Sequence, residues 1–469
     1  MTKNNCFKYL FVILLNIVFV QGVIAKGIEV SSQLEFDNAL KSAIAGDEII
    51  WKSGMYSDIF MNVKKDNVTI KAKAVGETIF TGKSRLSVEG SNVKLVGFQF
   101  LGGDVGRENV IQTTGSDNLF LQINVSGYKS YKYLIIKKQS QRVKVSYCNF
   151  ENRLNLDDQN IVSVIVNKDQ PGFHKIEHCS FRNFSGEGKD MGIEALRIGV
   201  SSQKDFSSKT IVEYCYFTQC SGDGEIISNK STDNVIRYNT FEDNPVSELV
   251  LRHGNNAYVY GNFFLNGKGG VRIREGKNHA VFNNYFSGLK DRSITVQSTG
   301  SSPVNNVTIA YNTFVETAPV KLGGPQTDHS PKKVDIINNV FYKPTTVCLT
   351  RTTGLEFFSG NTHLGKLGVP EIEGMIIQDP LMEKNELGYH QITFKSPTIN
   401  ASSTSTVQII TNRDLDVDCV VDYDVLHKTR PKAAAKKDLG CWEFQVGGVV
   451  SPLATKTNSG PTYLRNNLK

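Results

Sequence analysis

Tyr238-Asn239-Thr240-Phe241, Gly261-Asn262-Phe263-Phe264 and Asn283-Asn284-Tyr285-Phe286 are three copies of one four-residue ending. It occurs earlier as Tyr147-Cys148-Asn149-Phe150, His178-Cys179-Ser180-Phe181 and Tyr214-Cys215-Tyr216-Phe217, and later as Tyr311-Asn312-Thr313-Phe314 and Asn338-Asn339-Val340-Phe341. From Phe217 to Phe341 successive phenylalanines stand 24, 23, 22, 28 and 27 residues apart. That period, with short β-branched runs and frequent Gly, Asn and Ser between copies, belongs to a solenoid. Helical solenoids have longer periods and leucine- or alanine-rich segments, which the repeat lacks. Ser163-Val-Ile-Val166, Asn306-Val-Thr-Ile-Ala310 and Val334-Asp-Ile-Ile337 read as short strands. Three strands and three turns per copy use up the spacing. The sequence therefore predicts an all-β chain folded as a single-stranded right-handed parallel β-helix, its hand following the preference of parallel crossovers. The phenylalanines stack inside the coil. Two residues before each, an Asn hydrogen-bonds the next rung, or a Cys fills the slot as a small hydrophobe.

Around this repeat the organisation is simple. Residues 1–25 carry Lys3 and Lys8, an apolar run from Tyr9 to Val20 and Val23-Ile-Ala25, the pattern of a secretory signal peptide and not of a membrane anchor. The protein is thus expected to be periplasmic or secreted. Removing the signal takes away two lysines and no acid, so the formal charge of +7 becomes +5. A mildly basic exported protein suits an anionic polymer. Nucleic acid is excluded as a partner, because no basic run with interleaved aromatics occurs. Seven cysteines remain after the signal, three of them at the ladder position, and an odd total argues against a full disulfide framework. Cys215 and Cys220, or Cys419 and Cys441, are the pairs that could form. A single domain spans 26–445. An amphipathic helix over about 32–43 plugs the open first rung, and a C-terminal cap covers about 366–445. Residues 446–469 read as a loosely held polar tail.

Three consecutive repeats concentrate charge. Asp223-Gly-Glu225-Ile-Ile-Ser-Asn-Lys230 is followed by Glu248-Leu-Val-Leu-Arg252-His253-Gly, then by Gly-Gly-Val-Arg272-Ile-Arg274-Glu275-Gly. Counted back from the closing Phe, Lys230, His253 and Glu275 each fall eleven residues before it, and Arg252 and Arg274 twelve. Stacking would bring these positions into one patch. Asp223 and Glu225, two apart on a strand, would share a face, and two such carboxylates need a cation; calcium is the natural one. Crowding by Arg252, Arg272 and Arg274 disfavours another positive charge, which equips Lys230 to act as a base. Arginine neutralises a carboxylate bidentately. Those parts suit β-elimination from a uronic-acid polymer: the carboxylate is neutralised, the proton beside it is taken, and the glycosidic oxygen leaves. His279 is read as structural.

Acid-x-Glu-Ile-Ile-x-x-Lys-Ser, Arg-His-Gly some twenty residues on, then Gly-Gly-hydrophobic-Arg-Ile and Asn-x-Tyr-Phe resemble polysaccharide lyase family six, the family of alginate lyases and of the dermatan-cleaving chondroitinase B. The resemblance runs from the helix near residue 35 to Asp438-Leu-Gly440. It implies Lys230 as the base at carbon five and Arg252 as the acid-side residue that assists the leaving oxygen. It further implies His253, Arg272, Arg274 and Arg197 as substrate contacts, and Asp223 and Glu225 as acidic calcium ligands. A third ligand, usually Asn, falls on Met191, which cannot serve a hard cation, and Asp190 or Glu194 would have to substitute. Alginate is the expected substrate, since Gly269-Gly-Val-Arg272-Ile resembles the alginate-cleaving members. The alternatives are dermatan or chondroitin sulfate, a uronate epimerase, and a β-helix that only binds glycans.

Overall fold

The computed structural model describes residues 25–155, 159–186, 192–298, 303–324, 330–403, 423–431, 436–444 and 453–465. The signal segment up to residue 24, Asp190, Met191 and Cys419 lie outside these residues. The chain coils into a parallel β-helix whose rungs build three long sheets of 14, 12 and 14 strands among the described residues. Every pairing within these sheets is parallel and joins one rung to the next, as in Phe217 with Phe241 and Phe241 with Phe264.

The repeated ending is the bend between the first and third sheets. Its opening residue takes a left-handed conformation, at φ 52° in Tyr214, 55° in Tyr238 and 50° in Asn283. Gly261 fills this position at φ 65°, where a Cβ would press to 2.5 Å from the Tyr238 ring. The next residue points inward. Asn239, Asn262, Asn284, Asn312 and Asn339 each donate the backbone N–H to the side-chain oxygen of the Asn one rung on, at 2.8–3.0 Å. Buried amides so paired avoid the desolvation penalty of an orphaned donor. Cys148, Cys179 and Cys215 occupy the slot earlier. These three, with Cys220, Cys348 and Cys441, are free buried thiols, so Cys215 and Cys220 do not pair. Phe150 to Phe341 stack face to face along the axis, centroids 4.6–5.4 Å apart.

Helix α1 (Gln33–Ser42) starts at Ser32, whose hydroxyl accepts the Glu35 N–H, and it buries Phe36 against Trp51 on the first rung. The helix packs on the strands Gly27–Val30, Glu48–Trp51 and Phe60–Val63 and so covers part of that end against pairing with a second chain. The C-terminal cap differs from its expected closing role. Trp442, Leu439 and Val425 pack along the outside of the third sheet on Phe263, Tyr285 and Val340, and the Cys441 N–H binds Thr313. The described part of the tail, 453–465, is also held more firmly than its composition suggests. Gly460 N–H donates to His178 O, the Tyr463 hydroxyl to Phe98 O, and Arg465 covers the Tyr147 ring at 5.2 Å. Among the described residues no helix is long and apolar enough to cross a membrane.

Candidate active site

The charged cluster lies on the second sheet and at the turn that follows it. Pairing of Ile198 with Asn229, Asn229 with Leu251 and Leu251 with Ile273 makes Lys230, Arg252 and Arg274 the first residues after the strand on three consecutive rungs. Lys230 therefore aligns with the arginines and not, as the count from phenylalanine predicts, with His253 and Glu275. The cause is a turn of unequal length: Val235 pairs with Tyr258, five residues after Lys230 but six after Arg252. Arg197 and Arg272 belong to the outward row inside the strands, with Ser228 and Val250 between them.

Beneath these cations runs a row of buried acids. Glu225 and Glu248 open their strands and Glu194 lies two residues before Leu196–Ile198; they are 9%, 1% and 2% exposed. Glu194 holds Arg197 through both carboxylate oxygens, and its Oε1 lies 3.7 Å from Lys230 Nζ. Glu225 accepts the Ser228 hydroxyl and faces Arg252 Nε at 3.5 Å. Glu248 receives Arg292 bidentately, at 2.8 and 2.7 Å, with Arg272 at 3.8 Å. Burial holds the Glu225 carboxyl above the usual range, reinforced by Glu194 and opposed by Ser228, Lys230 and Arg252. Burial likewise holds Arg272 below the ordinary arginine range, partly offset by Glu248. Each acid anchors a cation on its own rung or a neighbouring one, so the cationic heads are fixed before any ligand arrives. Glu248 and Arg292 escape sequence reasoning because their partners lie on other rungs. The recurrence of Glu at the strand start was the available signal.

His253 Nδ1 donates to the Glu275 carboxylate at 2.8 Å, which fixes the orientation of the ring. The turn bearing Glu275 is locked from behind by His279, whose Nε2 meets Glu275 O at 3.0 Å and whose Nδ1 accepts the Ala257 N–H. His279 is structural, as its sequence position suggests.

The two acids expected to hold calcium are engaged by protein donors, and the third position, at Met191 or Asp190, lies outside the described residues. Asp223 precedes the strand Glu225–Asn229. Its oxygens accept the backbone N–H groups of Gly192 and Glu225, at 2.6 and 3.0 Å. Glu225 is committed to Ser228 and Arg252. Calcium takes six to eight oxygens, and among the described residues no three His, Cys, Asp or Glu groups converge as a metal site. Positive charge at this place comes from arginine and lysine.

The profile of the chondroitinase B family matches residues 30–387. No curated protein matches the chain. Among solved structures, the family-six alginate lyase AlyGC superposes with a TM-score of 0.71 at 24% identity over 79% of this chain. The chain spans about half of AlyGC, 55% of its length. A mannuronic-acid-specific family-six lyase from human gut microbiota gives 0.64 at 24% identity, covering 72% of this chain and 86% of that one. The family-six lyase Pedsa3628 of Pseudopedobacter saltans gives 0.63 at 20% identity, covering 75% and 97%. These likenesses establish a shared fold.

Proposed function

This chain belongs to the chondroitinase B family, within polysaccharide lyase family six, and on that premise we propose that it is an exported lyase that cleaves alginate by β-elimination. The observation that carries the reading is the placement of Lys230 and Arg252 at one position of neighbouring rungs, about 4.8 Å apart as strands are, above buried acids. Arg272, Arg274 and Arg197 supply the charge that neutralises the uronate carboxylate. With that charge balanced, Lys230 takes the proton from carbon five, the bond from carbon four to the glycosidic oxygen breaks, and a double bond forms between the two carbons. Arg252 stays charged and stabilises the departing oxygen by hydrogen bonding, since arginine does not release its proton. The proton needed by that oxygen comes from solvent or from the newly protonated Lys230. His253, oriented by Glu275, positions the sugar. No step is routed through calcium.

The family match also supports dermatan sulfate as a second substrate reading. Ultraviolet absorbance of unsaturated uronate ends, with alginate, dermatan sulfate and pectate offered separately, tests both. A rise with alginate that vanishes in Lys230→Ala upholds the proposal. A rise with dermatan sulfate alone moves the substrate, and no rise from folded protein with any polymer refutes the lyase reading.

A further inference from the structure

The row that carries Lys230 continues past the catalytic rungs. Pairing of Ile136 with Val164, Val164 with Ile198 and Ile198 with Asn229 brings Lys137, Ile165 and Gly199 into line with Lys230. Lys137 therefore stands three rungs earlier, roughly 14 Å along the coil. Between the two lies an open groove of about 560 Å³. Ser163 and Ile165 form part of its lining, and Arg197 borders it on the catalytic side. Through Glu194, Arg197 is continuous with Lys230.

Among the described residues that line the groove, Lys132, Lys137, Lys138 and Arg197 are cationic and none is acidic. Arg197 is held by Glu194, and Lys132 by Gln159 and Asn160. Some cations of the coil face an acid on another rung, as Arg142 does Asp117, Lys175 Glu213 and Lys321 Asp291, whereas the groove sets no acid among its described lining residues against Lys137 and Lys138. An open, polar groove that carries these two lysines in line with the candidate base suits a repeating anion that already occupies the site.

We propose that this groove is a distal subsite, in which Lys137 and Lys138 take the carboxylate of a uronate unit remote from the bond being cleaved. The inference rests on the polyuronate-lyase reading and adds a consequence: long chains bind better than short ones, and the advantage resides in these two lysines. Their contacts are solvent-exposed, so each contributes modestly and is weakened by salt.

The test compares wild type with Lys137→Ala/Lys138→Ala on alginate polymer and on alginate trisaccharide, with melting curves confirming equal folding. The expected result is a KM for polymer raised roughly three- to tenfold, the scale of two exposed charge contacts, with kcat unchanged and trisaccharide kinetics unaltered. An unchanged KM for polymer, or an equal rise with trisaccharide, overturns the subsite. Retardation of both proteins in alginate-containing gels separates this from the catalytic reading. Weaker retardation of the double variant upholds the groove even where no turnover occurs. Equal retardation overturns it even where turnover is normal.

Discussion

Replacing Glu248 by alanine removes the single acid that Arg292 grips with two hydrogen bonds, at 2.8 and 2.7 Å, and that Arg272 approaches at 3.8 Å. Two guanidinium groups, on side chains 17% and 29% exposed, would then crowd together with only Asp291, 2.9 Å from Arg292, as a nearby anion. Breaking a buried pair from one side costs about 3–5 kcal/mol. Both arginines retain some water, which places the expected cost at the lower end, about 3 kcal/mol. The pair variant Glu248→Met/Arg292→Met should lose far less, because removing both charges also removes their desolvation cost. Urea unfolding followed by circular dichroism measures both proteins; where the transition departs from two-state behaviour, the midpoint is compared instead. Arg272 loses its anchor in the single variant, so KM for alginate should rise together with the fall in stability. An unchanged midpoint in Glu248→Ala, or a pair variant no more stable than the single one, would refute the reasoning.

Asn284→Ala deprives the Asn262 backbone N–H and side-chain amide of their acceptor and the Val259 carbonyl of its donor. A loss of at least about 2 kcal/mol is expected in denaturant unfolding, and a loss under 0.5 kcal/mol would mean that the ladder is not structural. His279 is fully buried, and burial pushes its pKa from 6.5 down to about 4. Between those values the unfolded chain binds a proton that the folded one refuses, so stability falls as pH drops from 6.5 towards 4, by roughly 3 kcal/mol from this residue. His279→Gln should flatten that part of the stability–pH curve, and an identical curve contradicts the assignment. Chelator treatment should leave both the initial rate and the melting temperature unchanged, because the acids at Asp223 and Glu225 are already satisfied by backbone, hydroxyl and arginine. A loss of rate restored by added calcium would overturn the donor argument.

Much of the molecule is determined by the sequence alone, because a coil that stacks on itself turns recurrence along the chain into adjacency in space. The Phe and Asn positions recur because each rung must fill the same interior slot, and their spacing sufficed to read the fold, the stack and the ladder. The same logic brought Lys230, Arg252, Arg272, Arg274 and Arg197 to neighbouring rungs. Tertiary structure decided what one repeat cannot encode. The register of Lys230 depended on a turn one residue shorter than the next, and a count measured from a distant phenylalanine absorbs every turn between. Asp223 lies before the strand with its carboxylate on two backbone amides, one of them on the preceding rung. Glu194, Glu225 and Glu248 became anchors for the cations only through partners on their own rung and on rungs up to two away. The described part of the tail, 453–465, is held because Tyr463 finds a slot over Gly76, whose missing side chain leaves room for the ring. Local pattern sets which residues face in and which face out; the pairing of charges across rungs is a property of the assembled coil.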